Sequence, residues 1–158
     1  MRASHPQARF QLLGFLDVDN QTAITRAELD AWLAEGVVEY LGAAEDVRPH
    51  LAQAHCVVLP SYREGLSRVL LEAAAMERPA IASNVPGCRD VVVEGRTGLL
   101  CAVQNGPDLA AKMVRLLTMN PAQHSAMGTA ARNHVIRNFS EQAVIAAYRQ
   151  AIARALAN

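Results

Sequence analysis

The sequence predicts an α/β fold: a Rossmann-like parallel sheet with flanking helices and a helical C-terminal tail. Three observations carry this. Short apolar runs alternate with longer segments of helical period, as in a parallel sheet covered by helices. Turn residues such as Gly42, Pro60 and Pro79 separate the two kinds of segment. Hydrophobic residues make up 51% of the 158 and charged residues 19%, enough for a folded core and too apolar for a disordered chain.

The elements follow in order. Phe10 to Phe15 is the first apolar run. A helix starts at Thr25, where Glu28 three residues on forms a capping box, and Leu29, Trp32 and Leu33 share one face. Val37 to Leu41 is the second strand, ended by Gly42; Val47 to Ala54 is a short helix. Cys56 to Leu59 is the third strand, stopped by Pro60, and Leu66 to Met76 is an alanine-rich helix without a breaker. Pro79 introduces the fourth strand, Ala80 to Ser83, and a turn at Glu94–Thr97 precedes the fifth, Gly98 to Cys101. Helices then run from Pro107 to Thr118, from Pro121 to about Arg137 and from Ser140 to the end. The length suits one domain, read as residues 1–158 with its helical tail at 120–158.

Composition narrows the function. Fifteen basic and fifteen acidic residues give a formal net charge of 0, so no whole-domain basic field suits nucleic acid. Aromatic residues are only 4%, too few for base-stacking platforms. The three cysteines, Cys56, Cys88 and Cys101, are odd in number and widely spaced, and read as free thiols of a reducing, cytoplasmic compartment. No apolar run reaches the roughly 18 residues of a membrane span, and the start MRASHPQARF lacks a secretory apolar region.

Two motifs near the start are decoys. Asp17-Val18-Asp19 has the D-x-D form of a metal-binding motif in one class of sugar transferases, but only sixteen residues precede it, too few for the nucleotide-binding half that architecture requires. Asp17, Asp19, Gln21, Ile24 and Glu28 also match calcium-loop positions, yet Thr22 stands where the sharp turn requires glycine. An acidic loop before a capped helix accounts for both, and no metal is expected.

The informative stretch runs from Val57 to Ala73: a buried strand, a polar turn with one glycine, then a helix. Open sheets bind ligands outside the carboxyl ends of their strands. The free N–H groups of the first helical turn, placed at about Gly65 to Arg68, form with the helix dipole an anion site suited to a diphosphate. Glu64 and Glu72 bracket it, with a helical part between them of about 11–12 Å. One carboxylate can take hydroxyls of a sugar and the other a vicinal pair on a ribose. Taken alone, each glutamate reads better as an ordinary residue, Glu64 complementing the dipole at a helix start and Glu72 pairing with Arg68; the whole combination is far more specific.

At these residues the sequence resembles a known family. The E-x7-E arrangement of Glu64 and Glu72 is similar to that of retaining glycosyltransferases of family four, with the two-Rossmann GT-B architecture. The resemblance extends over nearly the whole chain: Glu39 to Gly42 with Asp46-Val47, Arg78 to Asp90, Glu94 to Leu100, Met127-Gly128 and Asn138-Phe139-Ser140. The wording of Ser61 to Gly65 and Val85 to Arg89 looks closest to bacterial enzymes of capsule, O-antigen and N-glycan assembly.

The resemblance implies the C-terminal domain of such an enzyme, lacking its first strand and the whole N-terminal domain. It implies Glu64 as the catalytic-site residue on the donor sugar, the amides of Gly65, Leu66 and Ser67 on the diphosphate, Glu72 on the ribose, and Leu70 beside the ribose or base. The loop after Gly42 becomes the base wall. Arg63 is either a phosphate neutraliser or an ordinary exposed loop arginine. The implied donor is a UDP-sugar, used as substrate without cofactor or metal. The implied acceptor is a glycan or polyprenyl diphosphate-linked saccharide, reached through the N-terminal domain, with peripheral membrane association of the full-length enzyme at the inner face of the cytoplasmic membrane.

Two departures stand out. Ser67 replaces a frequent proline, and Glu77 replaces a common glycine before Arg78-Pro79, at a cost of about 1 kcal/mol if that position takes positive φ. His5, His50, His55, His124 and His134 match no catalytic position. The expectation is weak donor or UDP binding and little transfer by this chain alone. The rival expectation is a non-catalytic binding module complemented by a separate N-terminal domain.

Overall fold

The computed structural model describes residues 4–16 and 23–157. They form two compact units, one up to Val47 and one from Arg48 onward. Asp17, Asp19 and Gln21, and with them the D-x-D motif and the first part of the calcium-loop pattern, lie outside the described residues.

In the first unit, β1 (Gln11–Leu12) and β2 (Glu39–Tyr40) form a parallel pair in which Gln11 faces Glu39 and Leu12 faces Tyr40. Between them lies α1 (Arg26–Ala34), whose capping box is as read: Thr25 Oγ1 accepts the Glu28 N–H and Glu28 accepts the Thr25 N–H. The two strands are shorter than their apolar runs. Tyr40 reaches across to donate its hydroxyl to the Gly14 carbonyl at 2.8 Å, and Arg9 holds Glu39 through two hydrogen bonds of 2.8 and 2.7 Å.

The second unit opens with α2 (Arg48–Gln53) and carries a three-stranded parallel sheet, β3 (Val57–Leu59), β4 (Ala80–Ser83) and β5 (Gly98–Cys101), in that spatial order. The strands thus fall into two separate ladders where the sequence suggested one sheet, because an apolar run does not say which neighbour it pairs with. All four residues of the central strand β4 are buried, as a strand covered on both faces requires.

The alternation of β4 sorts the core into two layers. Ala80 and Ala82 face a cluster with Leu70, Ala74, Cys88 and Val135, supplied by α3 (Arg68–Ala75), α4 (Cys88–Val91) and α6 (Pro121–Phe139). Ile81 faces the other way, with Leu99 beside it in register and Leu116 from α5 (Gly106–Leu117). The helix α4 occupies a stretch read as loop; it is a single turn, and only the spacing of Cys88, Val91 and Val92 announces it. The tail ends in α7 (Glu141–Leu156), which buries none of its residues and exposes Val144, Ile145, Tyr148, Ile152 and Leu156.

Candidate functional site

The chemistry sits where β3 turns into α3. Pro60 ends the strand, the loop Ser61–Leu66 follows, and α3 begins at Arg68 with Ser67 as its N-cap. The helix therefore starts later than its apolar pattern suggested. Its free first-turn amides are those of Ser67 to Leu70, since the Leu71 N–H already bonds the Ser67 carbonyl at 3.1 Å. The amides of Gly65 and Leu66 belong to the loop leading in. With the helix beginning at Arg68, the helical rise to Glu72 is about 6 Å, half the distance expected.

The start of α3 is chemically open. In α1, α5, α6 and α7 the cap side chain, Thr25, Asn105, Asn120 or Ser140, accepts a backbone N–H of its own first turn. Ser67 has the right residue type but makes no such bond. The amides of the first turn and the positive end of the dipole remain unanswered by the cap, which suits an incoming anion. An added Cβ on Gly65 would meet nothing within 4 Å, so the space over this glycine is open to a ligand.

Around this start the predicted residues distribute unevenly. Glu64 is half-buried, and its carboxylate acts on the Cys88 thiol. Burial, with help from Glu64 and Cys101, pushes that thiol up to about 11. Burial likewise pushes Cys56 up to about 12. All three cysteines are free thiols, as expected. Glu72 is half-buried, with Arg68 Nη2 3.6 Å from its Oε1. Arg68 is 90% exposed, so the pair is a weak surface contact and no barrier to a ligand. Arg63 and Leu66 are exposed.

Leu70 departs from its expected role. It has no accessible surface and packs in the core with Ala82, Val85 and Cys88. It supports the site from below and offers no face to a ribose. Sequence reasoning also missed Gly87. A Cβ there would overlap the Gly65 carbonyl and lie 2.7 Å from that of Glu64, so the loop after β4 buttresses the Ser61–Leu66 loop by backbone contact. Its signal was the Pro86-Gly87 pair before α4. Among the described residues, no group of three His, Cys, Asp or Glu side chains could hold a metal, and no helix is long and apolar enough to cross a membrane.

Parallel strands in sheets, flanking helices and a helical C-terminal tail are the architecture of a GT-B glycosyltransferase domain. The chain belongs to the glycosyl transferases group 1 family, whose model matches residues 1–119. It is 33% identical over 114 residues to N-acetyl-alpha-D-glucosaminyl L-malate synthase of Bacillus anthracis, covering 72% of this chain and 30% of that protein. It is 33% identical over 111 residues to the N,N'-diacetylbacillosaminyl-diphospho-undecaprenol alpha-1,3-N-acetylgalactosaminyltransferase of Campylobacter jejuni, covering 70% and 28%. The chain thus spans about a third of the length of these relatives. In fold it is similar to Anabaena Alr3699/HepE, solved in complex with UDP, with a TM-score of 0.78 at 22% identity over 96% of this chain and 41% of that one.

Proposed function

We propose that this chain forms the nucleotide-sugar-binding part of a retaining glycosyltransferase. The enzyme would move a hexose or N-acetylhexosamine from a UDP-sugar to a glycan or polyprenyl diphosphate-linked acceptor in surface polysaccharide assembly at the cytoplasmic face of the membrane. The observation that carries the reading is the uncapped start of α3 with Glu64 before it and Glu72 one turn into it. The N–H groups of the loop and first turn, from Gly65 to Ser67, would hold the diphosphate, with Arg63 at hand in the loop. Glu72 would accept the two ribose hydroxyls through the carboxylate now held loosely by Arg68. Glu64 would take donor-sugar hydroxyls and set the sugar over the amides. Backbone amides and a helix dipole neutralise the phosphates in this scheme, so we propose that no metal is needed.

The names of the relatives support the sugar chemistry: both describe transfer or synthesis on N-acetylated sugars. The bound UDP of the HepE structure supports the nucleotide. Transfer by the chain alone should be slight, since stabilising the transition state needs groups on both sides of a cleft.

The test is a ligand-observed NMR titration with UDP, GDP and UDP-sugars, on wild type and Glu72→Ala, with and without EDTA. UDP should bind, EDTA should change nothing, and Glu72→Ala should weaken binding about tenfold, the loss of a hydrogen-bonded carboxylate. A folded wild type that ignores UDP, or a Glu72→Ala variant that binds it as well as wild type, would overturn the assignment.

A further inference from the structure

A groove lies at the amino end of β5, at the opposite end of the sheet from the start of α3. Its volume is about 680 Å3, and Arg96, Arg115, Met119, Gln123, Ala126 and Met127 line it, among others. Arg96 stands in the turn before β5 and Arg115 in the last turn of α5. Met119 lies in the connection to α6, whose first turns supply the remaining three. The volume falls within the ~300–1,000 Å3 range of small-molecule sites. It is far more than a bare anion fills.

Two guanidinium groups and no carboxylate line the groove. The Arg96 side chain forms no hydrogen bond or ion pair among the described residues. Its turn is nonetheless fixed: the Gly95 N–H bonds the Gly98 carbonyl at 2.8 Å, and the buried Thr97 hydroxyl accepts the Val93 N–H at 2.8 Å. Arg115 is 53% exposed and lies 3.5 Å from Glu94 Oε1, an oxygen that Lys112 Nζ already holds at 3.1 Å. The other Glu94 oxygen accepts the Leu100 N–H. Drawing Arg115 toward a ligand therefore leaves Glu94 answered, and an exposed pair of this kind costs little to give up. Gln123 accepts the Asn120 N–H through Oε1 at 3.2 Å, which leaves its amide hydrogens as donors. The floor is apolar, and the thioethers of Met119 and Met127 adapt to the outline of whatever lies on them.

We propose that this groove binds a small soluble phosphomonoester with an apolar ring. The phosphate lies between Arg96 and Arg115, and the ring rests on Met119, Ala126 and Met127. A phosphomonoester carries nearly two negative charges at neutral pH, matching the two cations, and the guanidinium fork fits its oxygens. A lipid headgroup offers similar chemistry, but a membrane surface calls for clusters of four to eight basic residues. Here only two face the groove, and Lys112 is committed to Glu94. The inference goes beyond the glycosyltransferase reading and does not rest on it. The four residues of β5 rise about 10 Å, so a ligand here leaves the start of α3 free.

The experiment is an amide NMR titration of the full chain with phenyl phosphate, inorganic phosphate and vesicles of phosphatidylglycerol. Phenyl phosphate should shift the amides of Gly95, Arg96 and Met119, and should bind about fivefold tighter than inorganic phosphate, which leaves the apolar floor uncovered. Arg96→Ala and Arg115→Ala should each weaken it about tenfold, the loss of a charged hydrogen-bond donor. Both arginines are exposed, so the variants keep the fold; Arg96→Lys, which keeps the charge and loses the fork, should fall between Arg96→Ala and wild type. Glu72→Ala should leave the affinity within about twofold, since it touches only the other end of the sheet. Amides that do not move, binding indifferent to both arginines, or shifts confined to residues 64–72 overturn the site. Inorganic phosphate binding as tightly as phenyl phosphate shows an adventitious ion only. Vesicle binding that depends on Arg96 and Arg115, with phenyl phosphate inert, assigns the groove to a membrane and overturns the soluble ligand.

Discussion

The backbone of Gly128 in α6 rests directly on the carbonyl oxygen of Glu77, the residue that turns the chain out of α3 with a φ of 58°. Any side chain at 128 would run into that carbonyl. The close approach lets Arg132 Nη1, one turn further along α6, donate to the Ala75 carbonyl at 3.0 Å and satisfy the end of α3. Since α3 opens at the candidate site, α6 fixes the far end of the helix that carries it. Gly128→Ala is therefore expected to destabilise the chain by about 1–3 kcal/mol, the range for overpacking. Urea denaturation monitored by circular dichroism checks this; an unchanged midpoint would show that the two helices can part without cost.

Glu77 itself predicts the opposite sign. A non-glycine residue in the left-handed region pays about 1 kcal/mol, partly recovered because it has less freedom to lose from the unfolded state. Glu77 is exposed and forms no ion pair among the described residues. Glu77→Gly should thus stabilise modestly, by about 0.5–1 kcal/mol, with Glu77→Asn between it and wild type. Thermal unfolding of the three proteins under one buffer gives the order, and a destabilised glycine variant would count against the strain.

That strain was legible before the structure, because the resemblance places a glycine where Glu77 stands. So were β4 and β5, whose bounds match their sequence readings to the residue: Pro79 and the Thr97-Gly98 turn mark their starts, and burial of all of β4 and of all but Leu100 in β5 makes their runs continuous. The caps of α1 and α6 were legible for the same local reason. What depends on a partner was not. β1 and β2 shrink to two residues because a ladder ends where pairing ends, whatever the length of the apolar run. Helix α3 starts at Arg68 because Ser67 takes the cap position; weighing that serine above the apolar Leu66 would have placed the free amides correctly. The contact of Gly87 with Gly65 joins two loops far apart in sequence: the Pro86-Gly87 pair marks a turn but does not say what that turn packs against.

Glu39 makes the first unit sensitive to acid. Its hydrogen bonds from Arg9 and then Gln11 hold its carboxyl at about 2, against an ordinary value of 4.5. A carboxyl depressed in the folded state contributes stability above the ordinary value and loses it as pH falls from about 4.5 toward 2. Both partners are well exposed, 71% for Arg9 and 42% for Glu39, so the effect on global stability should be small and screened by salt. Local readout is better: carboxyl-detected NMR should show Glu39 titrating near 2 in wild type and in the ordinary glutamate range in Arg9→Ala. A wild-type midpoint near 4.5 would show that the Arg9 fork does not persist in solution.

The contact between Gly87 and Gly65 couples the loop after β4 to donor binding. A methyl group at 87 cannot be absorbed by a flexible side chain, because what it meets is backbone, the carbonyls of Gly65 and Glu64. The loop must move away from the start of α4, carrying the Glu64 carboxylate and the Gly65 amide out of register with the amides of α3. Gly87→Ala should accordingly weaken UDP binding about tenfold or more, beyond whatever fraction of the protein its lower stability leaves unfolded. Calorimetric titration of UDP at a temperature well below the variant's own unfolding midpoint separates the two effects. Full UDP affinity in a folded Gly87→Ala chain would mean that the diphosphate is held by α3 alone, without the loop that precedes it.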